Sequence, residues 1–432
     1  MSSPSSLVLR GGRPLGPDGP GEPCDLELAD GVVGELRPAG RGASAGDAIE
    51  AGGCWLLPGP IDAHVHLRDP GFTDKETLGT GLLAAAAGGF CGVAAMPNTL
   101  PPLDSAERIR ELLERAQSLS GARLYAIGSA SQDREGMSPV RFEALAEAGA
   151  RGFSDDGDQI RSEAVLLGAL AASARLGLPV MEHCEDPALV GDGVLNQGEV
   201  ARALGVPGRP AAAEIEAVRR GINLAERTGG HLHVQHLSSA GALDLVREAR
   251  RRGLAVTAEV TPHHLRLTEE AAAGGDPNAR VNPPLRTEDD REALIAGLAD
   301  GTIDVIATDH APHTEAEKAR GLADAPPGMV GLETALPLVL ELAEQGRVEL
   351  GRLVDALCGA PARLLGLPGR GRLEPGAPAD VTVFDPRAAW VVDPARFRSR
   401  GRNTPFSGWT LHGRVRATVV AGRVVFEDDG RS

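Results

Sequence analysis

Pro60-Ile61-Asp62-Ala63-His64-Val65-His66 is a short apolar run interrupted by histidines two positions apart. In an extended chain that spacing turns both imidazoles to one face. Runs of the same kind recur at Gly92–Met96, Arg123–Ile127, Ala150–Ser154, Pro179–His183, His231–His236, Ala255–Val260 and Ile303–Asp309. Between them lie helical patterns over Asp104–Leu119, Ser162–Leu176, Ala212–Thr228, Ala240–Arg252 and Asp289–Ala299. Eight strand candidates alternating with helices predict an α/β chain built as a (β/α)8 TIM-like barrel. A doubly wound sheet is the competing architecture, but no glycine-rich phosphate fingerprint follows the first strand. The two ends differ from this middle. Leu26–Leu28, Gly31–Gly34, Asp380–Phe384, Arg416–Val420 and Arg423–Phe426 read as short strands, the last two separated by a Gly422 turn. They predict a small β-sandwich domain formed by both termini. The expected division is 1–57 and 366–432 for the β domain and 58–365 for the barrel.

Composition narrows the partners. The 432 residues carry 44 basic and 60 acidic side chains, a net charge of −16. That balance argues against nucleic acid or an anionic membrane surface as partner. No apolar run approaches the roughly 20 residues that span a bilayer, and Met1–Arg13 lacks the pattern of a secretory signal. Cys24, Cys54, Cys91, Cys184 and Cys358 are scattered and odd in number, which fits a reducing cytoplasm rather than a disulfide framework. Aromatic residues are few, so aliphatic packing has to fill the core. Only Lys75 and Lys318 among the basic residues are lysines.

In a barrel of this kind, chemistry sits at the C-terminal ends of the strands. Here those ends read His64-Val65-His66, Ser154-Asp155-Asp156, His183, His236 and Asp309-His310. One strand-end histidine would be an ordinary hydrogen-bonded core residue. Four, with aspartates at two further ends, make a donor set suited to zinc or a similar divalent metal. Six candidates are enough for two ions if one carboxylate bridges them. His233 is in phase with His231 and belongs outside or lower in the barrel. His263 and His264 after the seventh strand fit a loop or core role as well as a pocket.

Several motifs together resemble the bacterial class I dihydroorotases of the amidohydrolase superfamily. They are Asp62-Ala63-His64-Val65-His66-Leu67-Arg68-Asp69-Pro70-Gly71, Met96-Pro97-Asn98-Thr99, Asn282-Pro283-Pro284-Leu285-Arg286 and Ala307-Thr308-Asp309-His310-Ala311-Pro312-His313. Gly376–Asp380 and Asn403–Phe406 extend the resemblance into the C-terminal region. It implies reversible, zinc-dependent cyclisation of N-carbamoyl-L-aspartate to (S)-dihydroorotate plus water, in pyrimidine biosynthesis. It assigns His64, His66 and Asp309 to one zinc and His183 and His236 to a second, with a hydroxide and an aspartate bridging them. Family spacing favours Asp156 as the bridge, while strand phase leaves Asp155 open. Asp309 would also be the general base and acid. His66, Leu67, Arg68, Asn98, Asn282, His313, Pro327 and Gly328 would surround the substrate, Arg68 meeting its unreacting carboxylate. Pro327 stands where the family usually has an aromatic residue, and Thr314–Met329 reads as a polar flap or substrate-contacting loop.

Two competing functions remain. One is a related cyclic amidohydrolase acting on hydantoin, dihydropyrimidine or allantoin rings. Many such enzymes bridge their metals with a carboxylated lysine at the fourth strand, where neither Lys75 nor Lys318 falls. The other is an inactive scaffold for aspartate transcarbamoylase, against which the complete ligand set argues. An active enzyme can still take aspartate transcarbamoylase as a partner, and a homo-oligomer is the expected assembly.

Overall fold

The computed structural model describes residues 6–40 and 47–428. Its centre is a ring of parallel strands: β1 (Ile61–Val65), β2 (Gly92–Ala95), β3 (Arg123–Ser129), β4 (Ala150–Ser154), β5 (Val180–Glu182), β6 (Leu232–Val234), β7 (Val256–Val260) and β8 (Val305–Ile306). They pair in sequence order. The ring closes beyond β8, where the His66 amide donates to the His310 carbonyl (2.9 Å) and the Asp309 amide to that of His64 (3.1 Å). A helix follows every strand: α1 (Leu78–Ala87), α2 (Ala106–Gln117), α3 (Phe142–Glu147), α4 (Glu163–Leu176), α5 (Ala211–Thr228), α6 (Ala240–Arg251), α7 (Glu288–Ala299) and α8 (Ala335–Glu344). This is the (β/α)8 barrel, and the doubly wound alternative is excluded.

Local chemistry explains where the helices begin. Thr77, Ser105, Ser162, Ser239 and Thr287 each accept a backbone N–H of the first turn, a cap worth about 1 kcal/mol. Between strands and helices the core is aliphatic, with Leu82, Val93, Leu166, Val218, Leu243 and Leu298 all buried. The few aromatics are placed at seams, as where Phe142 of α3 meets Phe153 of β4 edge to face at 5.0 Å.

The terminal regions form one mixed sheet of nine strands among the described residues. Its middle is Ser6–Gly16, which the sequence pattern had not marked as a strand. This strand bends at a bulge between Leu9 and Gly12, pairing first with Cys24–Ala29 and Asp47–Glu50 and then with Trp55–Pro58. Trp55–Pro58 in turn pairs antiparallel with Val381–Val391, so the N-terminal and C-terminal pieces are one sheet. Leu9, Leu26, Leu28, Leu56, Val381, Val383, Ala417 and Val419 share its core. We propose the domain division 1–57, 58–365 and 366–432 on these connections; residues 1–5, 41–46 and 429–432 of those ranges lie outside the described residues. No helix among the described residues is long and apolar enough to cross a membrane. All five cysteines are buried and unpaired.

Candidate metal centre

Asp156 lies just past the C-terminal end of β4, among the strand-end histidines. Its Oδ2 is 3.3 Å from Nε2 of both His64 and His66. Its Oδ1 is 3.9 Å from His183 Nδ1 and 3.7 Å from His236 Nε2. Two candidate metal-holding groups therefore share one carboxylate: His64, His66 and Asp156, then Asp156, His183 and His236. Asp309 Oδ1 joins the first group, 2.9 Å from His66 Nε2 and 3.6 Å from His64 Nε2. Asp155, left open by strand phase, faces elsewhere. Its oxygens accept from the amides of Ala130 and Ser131 and from the Ser131 hydroxyl. β4 ends at Ser154, and beyond it a left-handed Gly157 (φ +90°) turns the chain, so the two-residue period no longer applies there. Arg68 (φ 60°), His236 (φ 32°) and Asp309 (φ 48°) also hold positive φ. Such backbone costs about 1–3 kcal/mol for a non-glycine residue and concentrates at functional sites.

The outer nitrogen of three imidazoles is held by an acceptor. His64 Nδ1 lies 2.6 Å from Glu259 Oε1, His66 Nδ1 2.9 Å from Asn98 Oδ1, and His183 Nε2 3.3 Å from Glu185 Oε2. In a neutral ring each arrangement keeps the hydrogen on the outer nitrogen and leaves the inner one to bind a metal, the preparation that metal-binding histidines require; the inner nitrogens of His183 and His236 lie only 2.9 Å apart. Glu259 and Glu185 were missed from sequence; a lone carboxylate near the end of a buried strand, as in β7, was the available signal. Lone pairs converging with two carboxylates repel one another unless a cation lies among them. Consistent with that, His64 Nε2 and Asp156 Oδ1 are buried without a hydrogen-bond partner. Nitrogen and oxygen donors of this kind fit zinc or a related divalent ion.

Burial is the largest influence on these groups, and it opposes charge. At Asp156 the surrounding His64, His236 and His66 outweigh it and hold the carboxyl well below its usual range. Asp309 is lowered for the same reason, by His66 and His64. His64 is raised by Asp156 and Glu259 despite burial, whereas burial prevails at His66 and lowers it.

Beside the cluster, Arg68 is half-buried and has no carboxylate partner among the described residues. Its Nε donates to the Pro312 carbonyl (3.3 Å), and Nη2 lies 3.5 Å from His313 Nε2. Desolvation lowers it to about 10, with Asp309 and Asp156 acting the other way. The neighbouring Asp69 is engaged elsewhere, by Arg115 (2.6 Å) and the Leu78 amide. Asn282 Oδ1 is buried and unpartnered. Leu67 turns its side chain toward Gly81 of α1, where an added Cβ would meet it at 2.6 Å; only its main chain is left for the site. His264 is engaged by Thr261 and the Pro283 carbonyl, while His263 Nε2 is buried without a partner.

Residues 314–329 are anchored more than a free flap would be. They contain a short helix, Glu315–Lys318, capped by Thr314. Lys318 is buried and donates to the carbonyls of Pro277 (3.0 Å) and Pro326 (2.9 Å), while Lys75 pairs with Glu317 (2.7 Å). Both lysines of the chain thus fasten this one segment. The Pro327 carbonyl accepts from His313 Nε2 (2.9 Å), and the Gly328 amide donates to Arg280 (2.8 Å). At Gly328 (φ +126°) a Cβ would fall 2.7 Å from the Ala311 Cβ, so the close approach needs glycine.

Comparison with known proteins agrees with this geometry. Residues 53–242 match the family described as dihydro-orotase-like, and residues 153–426 the amidohydrolase family. A dihydroorotase of Geobacter sp. (strain M21) is 46% identical over 426 residues, covering 98% of this chain and 99% of that protein. One of Pelotomaculum thermopropionicum is 47% identical over 425 residues, covering 98% and 99%. Among solved structures, the L-hydantoinase (dihydropyrimidinase) of Arthrobacter aurescens matches with a TM-score of 0.86 at 27% identity, covering 98% of this chain and 96% of that one. With a barrel, a histidine–aspartate centre and full-length similarity in agreement, the chain belongs to the dihydroorotase family of the amidohydrolase superfamily, metal-dependent hydrolases of cyclic amide C–N bonds.

Proposed function

We propose that the protein interconverts N-carbamoyl-L-aspartate and (S)-dihydroorotate, the cyclisation step of pyrimidine biosynthesis leading to UMP. The observation that carries this is Arg68: a guanidinium with no carboxylate partner among the described residues, two residues beyond His66. A substrate bearing an unreacting carboxylate supplies the missing partner, whereas neutral hydantoin or dihydropyrimidine rings do not. Asn98 and His313 would complete that pocket, and Asn282 would meet the ring. Leu67, Pro327 and Gly328 would contribute main chain, the last two only if the segment shifts, since both peptide groups are already engaged.

Two zinc ions would be held here, one by His64, His66 and Asp309 and one by His183 and His236, with Asp156 shared. When bound, zinc supplies Lewis-acid polarisation of the amide carbonyl and a water acidified to near neutrality. Asp309, kept ionised by its histidine neighbours, accepts the proton of the attacking water and delivers it to the departing ring nitrogen. Arg68 holds the substrate's free carboxylate so that the reacting carbonyl stays in place. In the biosynthetic direction the reactant dianion takes up one proton, releases one water and closes to the monoanion.

Turnover of dihydroorotate compared with dihydrouracil and allantoin tests the substrate; equal or better use of either neutral compound would overturn it. Metal analysis of the purified protein tests the zinc assignment and its stoichiometry. We also propose cytoplasmic residence, supported by five buried unpaired cysteines, and a homo-oligomer. Sedimentation alone and with aspartate transcarbamoylase tests the assembly.

A further inference from the structure

Glu259 stands on β7, fully buried, and reaches across the barrel interior. Oε1 lies 2.6 Å from His64 Nδ1 and 3.3 Å from the His236 amide. Oε2 lies 3.1 Å from His233 Nε2. A carboxylate only accepts, so each of these nitrogens donates its hydrogen to Glu259. The polarity continues away from the centre. With Nε2 protonated, His233 Nδ1 must accept, and Thr257 Oγ1 is its donor at 2.8 Å. Thr257 Oγ1 in turn accepts from His231 Nε2 at 2.7 Å. Every hydrogen in this chain runs toward Glu259; at its His64 end the shorter contact to Glu259 (2.6 Å) competes with the Gln235 amide, whose Nε2 lies 3.1 Å from the same His64 Nδ1.

Two consequences follow for the metal-facing side. A neutral His64 ring, the form that binds a metal, keeps its hydrogen at Nδ1 against Glu259 and offers Nε2 to the ion. Nε2 faces Asp156 Oδ2 (3.3 Å) and Asp309 Oδ1 (3.6 Å) and is buried without a hydrogen-bond partner. The same carboxylate that aims His64 also fixes the main chain at His236, a member of the other metal-holding group. His233, fully buried, and the half-buried Thr257 behind it keep Glu259 from rotating.

We propose that Glu259 is a positioning residue for metal capture: it sets the His64 tautomer and aim, and ties the two metal-holding groups together through the interior chain Glu259–His233–Thr257–His231. The assignment rests on the metal reading given above. Acceptors behind metal-binding histidines typically govern affinity by 10–100-fold.

The test is zinc titration of the metal-stripped full-length protein against a chromophoric chelator, with cobalt(II) absorption as a spectroscopic readout. Glu259→Gln keeps the side-chain shape but adds hydrogens where the histidines need an acceptor. It is expected to bind zinc about 10–100-fold more weakly and to shift the visible cobalt bands, with the far-ultraviolet circular dichroism of the metal-free protein unchanged. If that variant does not fold, Glu259→Asp replaces it, since the shortened carboxylate should produce the same loss. Wild-type zinc affinity and cobalt spectrum in whichever variant folds overturn the assignment. Failure of the wild-type protein itself to bind zinc overturns the metal reading instead, so the two outcomes are separable.

Discussion

At the scale of single residues, the centre makes two demands that substitution can expose. Asp309→Asn removes the proposed proton carrier while preserving size, and kcat should fall about 10²–10⁴-fold. Steady-state assay of the zinc-loaded variant checks this, and near-normal turnover would assign the base elsewhere. Arg68→Ala leaves the substrate carboxylate without its guanidinium, and kcat/KM should drop by about 2–5 kcal/mol if that pair is desolvated. Sequence reasoning reached the histidines of this centre because each lies at or just past a strand end, where the barrel gathers polar side chains; the two-residue period added that His64 and His66 share a face, while His236 (φ 32°) is aimed by a left-handed turn. It could not choose between Asp155 and Asp156, which follow the end of β4 and are oriented by a turn. Glu259 was hidden differently: within β7 it reads as an ordinary strand position, and its importance appears only when β1 is brought opposite.

At the scale of elements, the excursion from β5 to α5 is held by a buried ion pair. Arg209 Nη1 lies 2.6 Å from Glu185 Oε2, and Arg286 binds both the Arg209 carbonyl and Asn196. Burial alone would raise Glu185; the hydrogen bond to His183 and the Arg209 charge outweigh it and bring it down to about 2. A carboxyl lowered in the folded state contributes stability above its ordinary value of 4.5, and loses it as pH falls from there toward 2. Glu185→Gln should therefore flatten the acid-induced fall in stability of the metal-free protein over that window. At pH 7 it should cost about 3–5 kcal/mol, because Arg209 is left buried and unpaired. Urea denaturation at both pH values measures the two effects. Other elements were legible in uneven degree. The amphipathic period placed α4 to α7 within a residue or two. Ser6–Gly16 escaped notice because Gly11, Gly12, Pro14 and Gly16 break its alternation, although the bulge they allow is what lets one strand serve both parts of the sheet.

For the whole molecule, the joined terminal sheet makes the two chain ends interdependent. Removing residues 410–432 takes away the strand paired with Val381–Val391 and uncovers Leu56, Val381 and Val383. The truncated chain should lose cooperative unfolding or accumulate insoluble, whereas an intact melting transition would show that the barrel stands without this support. The convergence of four histidines and two aspartates predicts a second global effect. Stripping metal should lower Tm, and zinc should restore it in a concentration-dependent way, since a ligand bound only by the folded state stabilises it by mass action.

The anchoring of residues 314–329 by both lysines also makes the chain self-reporting. An endoprotease specific for lysine has two cleavage points in 432 residues, Lys75 and Lys318. Lys318 is 5% exposed, so a cut there requires the segment to lift away from the barrel rim. The rate at which the 319–432 fragment appears under native conditions therefore measures how often the segment opens. Saturating substrate would then either suppress that fragment or leave it unchanged, telling whether opening and occupancy are linked.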